Sequence, residues 1–300
     1  MQMLSEPVKT LSTCSSTFTG KFGKCQTIHT SMQGYRPSME DSHFISYEND
    51  NPYSVFAVFD GHGGDEIALE VGSRFGDFVF KDKETLKVDD VEAVKKSVDL
   101  AFRTCDEHLK RLGHMSGSTA NVVFMTQGHI ICGNIGDSRS VLCRSGMAME
   151  MSVDHKPTDE GETERIKKAG GSVIRGRVCG GVAVSRSFGD FEFKQSKDLD
   201  AAKQQISCCP DFIVKKRDAT TDEFIVICCD GVWDVISNEA CVRFVRTRLQ
   251  AGIGDLKTIS GDLLEYCIEN GSKDNMTCII VLLDAGKELI RKKKPKCVVL

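Results

Sequence analysis

Residues 53–65 read YSVFAVFDGHGGD, a run of β-forming residues that ends in a turn made almost entirely of glycine. The aromatic and β-branched residues at 53–59 predict a buried strand, and the glycines that follow argue against its continuation. The strand thus delivers Asp60 into the turn beside His62. Glycine on both sides of the histidine lets a backbone carbonyl and an imidazole approach one small ligand. These groups indicate hydrated-metal chemistry, although a strand-to-helix loop with a surface histidine also fits them.

The composition predicts an ordinary soluble domain. Forty per cent of the 300 residues are hydrophobic and 27% are charged, so the chain can bury a sizeable core. A net charge of −4 gives no overall attraction to nucleic acid, which we therefore exclude as a partner. No apolar run is long enough to span a bilayer. We also expect a monomer, since nothing indicates a coiled coil.

The 14 cysteines predict reduced thiols. No charged-then-apolar leader precedes the domain, and no pair of CxxC motifs indicates a zinc module. Four cysteines lie within predicted strands and are expected to be small core residues: Cys132, Cys143, Cys228 and Cys278.

The sequence divides into three segments, of which the third is a C-terminal tail at 285–300. Residues 1–18 are dense in serine and threonine and predict a flexible N-terminal arm, whereas residues 19–284 predict one domain without repeats or linkers. Strand rhythm over 120–143 predicts an antiparallel meander, and the polar, aperiodic stretch 191–210 predicts a mobile surface loop. Helical periodicity occurs at 64–80, 90–112, 238–249 and 256–269.

Several carboxylates lie where a predicted strand meets a turn. Asp60, Asp230 and Asp274 all do so, and the arrangement of a strand followed by Asp-Gly occurs twice. A sheet can gather such residues at one edge, and oxygen ligands favour Mg²⁺ or Mn²⁺. Any one of them also fits an aspartate that caps a turn. Because three such aspartates occur in one chain, together with the adjacent pair Glu40-Asp41, a metal site is favoured.

Eight motifs carry a resemblance to a known family. In order they are RPSMED (36–41), FDGHGG (59–64), SGSTA (116–120), GNIGDSR (133–139), DHKP (154–157), AVSRSFGD (183–190), CDGVWD (229–234) and DNMT (274–277). The chain resembles the metal-dependent protein serine/threonine phosphatases of the protein phosphatase 2C family. The likeness extends across 36–277, essentially the whole predicted domain.

The resemblance implies an α+β fold, a four-layer αββα sandwich of two antiparallel β-sheets flanked by helices. It also implies two Mn²⁺ or Mg²⁺ ions in each chain, with a weaker third. The implied ligands are Asp60 as the bridge, the carbonyl of Gly61, Asp230, Asp274, Glu40 and Asp41 largely through bound waters, and Asp137 for the third cation.

The implied activity is hydrolysis of phosphoserine and phosphothreonine monoesters in protein substrates, by a water that bridges the two metals and that Asp60 helps to hold. Arg36 is suited to bind the phosphate bidentately, and His62 to act as the general acid for a poor alkoxide leaving group. The alternatives are a catalytically silent phosphatase-fold binding module or a membrane scaffold. We expect Ser116–Thr119, Ser185–Ser187, His155 and Trp233 to support the structure rather than the chemistry.

Residues 285–300 predict a polybasic tail. The last four residues, from Cys297, fit a geranylgeranylation box, and the basic run from Arg291 to Lys296 precedes them. One lipid with a polybasic segment makes a two-signal anchor on an anionic surface. A cytoplasmic protein held at the cytoplasmic face of a membrane is therefore expected, although a disordered basic tail or a nuclear-import sequence also fits.

Overall fold

The computed structural model describes residues 3–20, 23–47, 53–81 and 90–291 as a set of strands and helices. The strands are β1 (Val8–Gly20), β2 (Gly23–Gly34), β3 (Ser42–Tyr47), β4 (Ser54–Phe59), β5 (Gly61–His62), β6 (Gly117–Ser118), β7 (Ala120–Met125), β8 (His129–Ile135), β9 (Arg139–Arg144), β10 (Met147–Glu150), β11 (Val173–Ile174), β12 (Arg177–Val178), β13 (Phe188–Gly189), β14 (Asp211–Lys216), β15 (Asp222–Cys228) and β16 (Met276–Leu282). The helices are α1 (Glu66–Val79), α2 (Val91–Leu112), α3 (Glu160–Lys168), α4 (Asp230–Trp233), α5 (Asn238–Gln250), α6 (Leu256–Glu269) and α7 (Asp284–Arg291).

Two antiparallel sheets form the centre of the molecule. The first has the order β1-β2-β16-β15-β9-β10, and the second has the order β14-β8-β7-β4-β3. Two small sheets, β13-β6-β5 and β11-β12, accompany them. The first and last parts of the chain therefore meet in one sheet, which brings residues distant in sequence to a common edge.

Five of the six residues of β4 are apolar, and the structure shows why. Phe56 and Val58 pack in the cluster between the two sheets, whereas Val55, Ala57 and Phe59 pack on the opposite side in a cluster that includes α1 and α2. All six residues of β4 are buried because both of its faces are covered. Burial of one large apolar side chain contributes about 1.5–3 kcal/mol to the free energy of unfolding, so the buried side chains of β4 stabilise the second sheet.

A third cluster completes the layers. It joins β-strand residues such as Val226 and Ile280 of the first sheet to Val245 of α5 and Leu263 of α6. Helices thus cover the outer face of each sheet, while the inner faces pack on each other. The predicted α+β fold, a four-layer αββα sandwich, is confirmed.

The N-terminal segment is not a flexible arm, and that part of the prediction is wrong. Val8–Gly20 forms β1, which pairs with β2 along most of its length. Leu11 packs against the cluster under α6, and the amide of Leu4 donates to the carbonyl of Tyr35 at 2.8 Å. Serine and threonine are compatible with an edge strand that has one solvated face. Their polarity weakens the alternating hydrophobic pattern by which a strand is predicted.

The predicted meander over 120–143 is only partly correct. β7 and β8 are neighbours, but β9 pairs with β15 and β10 in the other sheet. The turn at 136–138 therefore carries the chain from one sheet to the other. A strand pattern predicts that a strand forms but does not show which neighbour it takes.

Residues 191–210 are held by buried contacts, so the prediction of a mobile surface loop is wrong. Nζ of Lys194 lies 2.9 Å from both carboxylate oxygens of Asp106, and both side chains are buried. Ile206 and Cys208 are buried as well. A polar composition predicts solvent exposure, but the polar side chain of Lys194 is buried because Asp106 pairs with it.

The predicted tail is also partly structured. Residues 285–291 belong to α7, and Leu289 and Ile290 pack against the cluster that joins the first sheet to α5 and α6. Cys297 and the basic residues from Lys292 to Lys296 lie outside the described residues. Among the described helices, none combines the length and the hydrophobicity that a membrane span requires.

The cysteines behave as core residues. Those in the described ranges are free thiols, and burial is complete for Cys132, Cys143, Cys228 and Cys278. The expectation for these four positions is confirmed.

Candidate metal centre and active site

Asp60 follows β4 directly and lies where the sequence predicted a turn. Its amide donates to Oγ1 of Thr119 at 3.1 Å, and its carbonyl accepts from the amide of Thr119 at 2.9 Å. An added Cβ at Gly61 would lie 2.3 Å from the carbonyl oxygen of Glu40. Only glycine allows that approach, so the turn brings the Glu40 segment beside Asp60.

The ends of β15 and β16 bring the second group of acidic residues to the same place. Asp230 begins α4, and an added Cβ at Gly231 would lie 2.0 Å from the carbonyl oxygen of Asn275. The Asn275 side chain accepts from the amide of Glu40 at 2.9 Å and donates to the carbonyl of Ser38 at 2.9 Å. Asn275 thus ties the RPSMED segment to the DNMT segment.

Two groups of potential ligand atoms share Asp60. One group comprises Asp60, Asp137 and Asp230, the other Asp41, Asp60 and Cys229, and within each group the ligand atoms lie within 4.8 Å of one another. A cavity of about 600 Å³ opens over this centre. The other predicted site residues that line the cavity are Arg36, Glu40, Gly61, His62 and Asp274.

Burial and mutual repulsion make these carboxylates costly without a cation. Burial, followed by the charge of Asp230, raises the pKa of Asp60 well above its usual range. Burial and the charge of Asp137 do the same for the pKa of Asp230. Burial raises the pKa of Asp41 to about 6, although a hydrogen bond from Thr277 opposes the shift.

The donor set fits a hard divalent cation. Oδ2 of Asp41 accepts from Thr277 at 2.7 Å, but its buried Oδ1 has no hydrogen-bond partner among the described residues. An orphaned carboxylate oxygen beside Asp60 is what cation binding would satisfy. The thiol of Cys229 is engaged by the amide of Thr277 at 3.1 Å, and burial raises the pKa of that thiol well above its usual range.

Protein cations pair with two of the predicted ligands. Nη2 of Arg36 lies 2.5 Å from Oδ2 of Asp274, and Nζ of Lys156 donates to Oδ2 of Asp137. Asp274 lines the cavity but is not in either close ligand group among the described residues. The structure therefore places all the predicted ligands in one region and leaves Asp274 engaged with the predicted phosphate-binding residue.

His62 is held by a carboxylate that sequence reasoning did not assign. Nε2 of His62 lies 2.7 Å from Oδ2 of Asp190. Burial lowers the pKa of His62, but the charge of Asp190 and its hydrogen bond outweigh burial, so the pKa is raised. A raised pKa favours the protonated imidazole, which is the form that a general acid requires.

The residues expected to be structural make structural contacts. The Trp233 indole donates to the carbonyl of Cys228 at 2.9 Å, and His155 Nδ1 accepts from the amide of Gly136 at 3.2 Å. Oγ of Ser187 donates to Oδ2 of Asp190 at 2.5 Å.

Sequence reasoning missed Lys156, Asp190 and Asn275. Each lies inside a quoted motif, DHKP, AVSRSFGD or DNMT. Membership of those motifs was the available signal. Their partners are 19 to 235 residues distant in sequence, so no local pattern reveals these contacts.

The fold and the site together define a sandwich protein with a candidate metal centre of carboxylates, and comparison with known proteins identifies its family. The family model described as Protein phosphatase 2C matches residues 27–276. The chain belongs to the protein phosphatase 2C family.

The chain is also similar to individual members. It is 40% identical to Protein phosphatase 2C homolog 3 of Schizosaccharomyces pombe over 88% of this chain and 66% of that protein. It is 39% identical to Protein phosphatase 1B of Mus musculus over 84% and 68%, respectively. A Toxoplasma gondii phosphatase of known structure shares the fold, with a TM-score of 0.80 at 24% identity, covering 92% of this chain and 96% of that one. The chain thus spans about two thirds of the length of the first two relatives.

Proposed function

We propose that this protein is a metal-dependent protein serine/threonine phosphatase. The observation that carries the proposal is the sharing of Asp60 between two groups of ligand atoms, in a cavity that Arg36 and His62 also line. Hydrolysis of a phosphate monoester needs charge neutralisation, an activated water and a proton for the leaving oxygen. Phosphoserine and phosphothreonine residues of proteins are the proposed substrates, in keeping with the family.

The carboxylates would hold the cations. We propose two Mn²⁺ or Mg²⁺ ions, with Asp60 common to both, and a weaker third at Asp137. The remaining proposed ligands are the carbonyl of Gly61, Asp230, Asp274, Glu40 and Asp41. Such cations, when bound, lower the pKa of water and neutralise charge on the phosphoryl group.

The protein's own residues bind the phosphate and supply the proton. The Arg36 guanidinium, 30% exposed at the cavity, offers a planar pair of donors that fits two phosphate oxygens. His62 lies in the same cavity, and the charge and hydrogen bond of Asp190 favour its protonated form by raising the pKa of the imidazole. Serine and threonine alkoxides are poor leaving groups, so this proton contributes roughly 10²- to 10⁴-fold to the rate.

Release of phosphate from a phosphoserine peptide, with Mn²⁺ or with a chelator, tests the proposal. We expect release only with the metal, and its loss in Asp60→Asn and Asp230→Asn. Asp77→Asn is the matched control, because Asp77 is 64% exposed on α1. Release that persists in the chelator would refute the proposal, and peptide binding without release would instead support a silent binding module.

We also propose that the C-terminal residues tether the protein to the cytoplasmic face of a membrane. This proposal rests on the sequence alone, since Cys297 lies outside the described residues, and it requires Leu300 to be the last residue of the native chain. A lipid on Cys297 and the basic run from Arg291 to Lys296 would supply two weak attractions that add.

Fractionation and mass spectrometry of the protein from eukaryotic cells test the tether. We expect a geranylgeranyl adduct, and Cys297→Ser should move the protein to the soluble fraction while turnover of soluble peptides is unchanged. Cys14→Ser, at an exposed cysteine of β1, is the control. Membrane association that survives Cys297→Ser would contradict the proposal.

A further inference from the structure

Three short strands bring Asp190 to His62. In the sheet β13-β6-β5, His62 pairs with Gly117 on one side and Gly189 pairs with Gly117 on the other. Asp190 follows Gly189 directly. The side chains of His62 and Asp190 therefore approach each other beside the backbone of Gly117.

The absence of a side chain at Gly117 makes room for this contact. An added Cβ there would lie 2.3 Å from Oδ2 of Asp190 and 2.4 Å from Nε2 of His62. Gly117 is not among the residues with positive φ, so its backbone conformation alone does not require glycine. The central strand is thus shaped to admit the hydrogen bond between His62 and Asp190.

Asp190 is fixed from several directions. Its backbone is left-handed, with φ 51° and ψ 40°, a conformation that costs a residue other than glycine about 1–3 kcal/mol. Its amide donates to the carbonyl of Ser116 at 3.2 Å, and Oγ of Ser187 donates to its Oδ2 at 2.5 Å. Asp106 accepts from the amide of Gly189 at 2.9 Å. The surroundings hold a strained residue so that its carboxylate, 5% exposed, faces the imidazole.

The contact distinguishes the two ring nitrogens of His62. Oδ2 of Asp190 is an acceptor, so Nε2 of His62 donates to it across 2.7 Å. That bond occupies Nε2 and leaves Nδ1 for another partner. His62 lines the cavity, and 30% of its side chain is exposed.

We propose that Asp190 is the positioning residue that holds His62 so that Nδ1 delivers the proton to the leaving oxygen. This inference rests on the proposed phosphatase activity. In the step, the bond between phosphorus and the serine or threonine oxygen breaks, and its electron pair stays on that oxygen. The proton from Nδ1 joins the oxygen, while water supplies the new oxygen on phosphorus and loses a proton to solvent. The imidazole then regains one proton from solvent.

Two substrates that differ in leaving group test the role. A phosphoserine peptide needs a proton on its departing oxygen, whereas p-nitrophenyl phosphate releases a stable phenolate. We expect Asp190→Ala to lower kcat on the peptide roughly 10- to 100-fold, with less than about threefold loss on the aryl phosphate and little change in KM. His62→Gln should show the same preference, and the double variant should be no slower than His62→Gln alone.

Controls separate positioning from loss of structure. Asp198→Ala removes an exposed aspartate from the same segment and should leave both rates unchanged. If Asp190→Ala melts below the assay temperature, Asp190→Gly provides the same comparison, because glycine removes the carboxylate and adopts the left-handed backbone without strain. Equal losses on both substrates, or additive losses in the double variant, would overturn the inference while leaving the phosphatase activity intact. Wild-type protein without metal-dependent release would overturn the proposed function and this inference together.

Discussion

Nη2 of Arg36 lies 2.5 Å from Oδ2 of Asp274, across 238 residues of sequence. Both side chains are about one third exposed, so the pair is accessible from the cavity. The carboxylate that Arg36 holds is one of the proposed metal ligands. A cation bound by Asp274 would compete with Arg36 and make its guanidinium available for phosphate.

Removing the Arg36 guanidinium should therefore weaken phosphate binding without weakening metal binding. A hydrogen bond to a charged group contributes about 1.5–3 kcal/mol, so Arg36→Ala should lower kcat/KM roughly 10- to 100-fold. Steady-state kinetics and calorimetric titration of Mn²⁺ measure the two effects. Arg36→Lys is the matched variant, which keeps the charge and loses the planar pair of donors. Weaker Mn²⁺ binding in Arg36→Ala would show instead that the arginine organises the metal centre.

The acidic centre should make the metal-free protein less stable as pH rises. Burial and neighbouring charge raise the pKa values of Asp60 and Asp230, and burial raises that of Asp41 to about 6. Because the folded state holds these protons more tightly than the unfolded state does, the free energy of unfolding falls from about pH 4 upward through the folded pKa values. For Asp41 that interval runs from about pH 4 to 6.

Asp60→Asn should thus raise the melting temperature of the metal-free protein at neutral pH and reduce the stabilisation by Mn²⁺. Each kcal/mol by which removal of this repulsion increases the free energy of unfolding raises the melting temperature by about 2–4 °C. Calorimetric melting in chelator and in Mn²⁺, from pH 4 to 8, measures both effects. The exposed control Asp77→Asn should change neither, and a lower metal-free melting temperature in Asp60→Asn would contradict the electrostatic argument.

Lys156 should compete with a third cation, because its ammonium group donates to Asp137. The Asp137 carboxylate is 5% exposed, whereas Lys156 is 40% exposed and can move aside. We expect Lys156→Met to tighten the weakest Mn²⁺-binding step about three- to tenfold, or roughly 0.7–1.4 kcal/mol. Calorimetric titration measures this step, with Lys110→Met on α2 as an exposed control. Unchanged affinity would mean that Asp137 does not bind the weakest cation.

The buried pair of Lys194 and Asp106 should set the stability of the 191–210 segment. Removing one partner of a buried ion pair costs about 3–5 kcal/mol, so Lys194→Met should lower the free energy of unfolding by that amount and speed proteolysis of the segment. Urea unfolding and limited proteolysis measure these changes. Lys194→Met with Asp106→Leu should recover part of the loss, because no buried charge is then unpaired. Lys197→Met, at an exposed lysine, is the control. If Lys194→Met lowers the free energy of unfolding no more than this control does, the buried pair does not set the stability of the segment.

Local patterns were sufficient for the elements next to the site. β4, α1 and α2 occur where periodicity and turn residues predicted them, since burial on one or both faces leaves a pattern in the sequence itself. β1 was missed because a polar edge strand has a weak pattern, and β9 was assigned to the wrong sheet because strand pairing depends on distant residues.

The functional groups available to this protein can be identified from its amino-acid sequence alone. Its motifs contain the carboxylates, the arginine, the histidine and the glycines at the turns, because side-chain chemistry and backbone freedom are local properties. Three relationships become visible only in the folded chain: Asp60 belongs to both ligand groups, Arg36 pairs with Asp274, and Asp190 accepts a hydrogen bond from His62. Those contacts depend on the registers of antiparallel strands and on the packing of two sheets, which combine residues up to 238 positions apart.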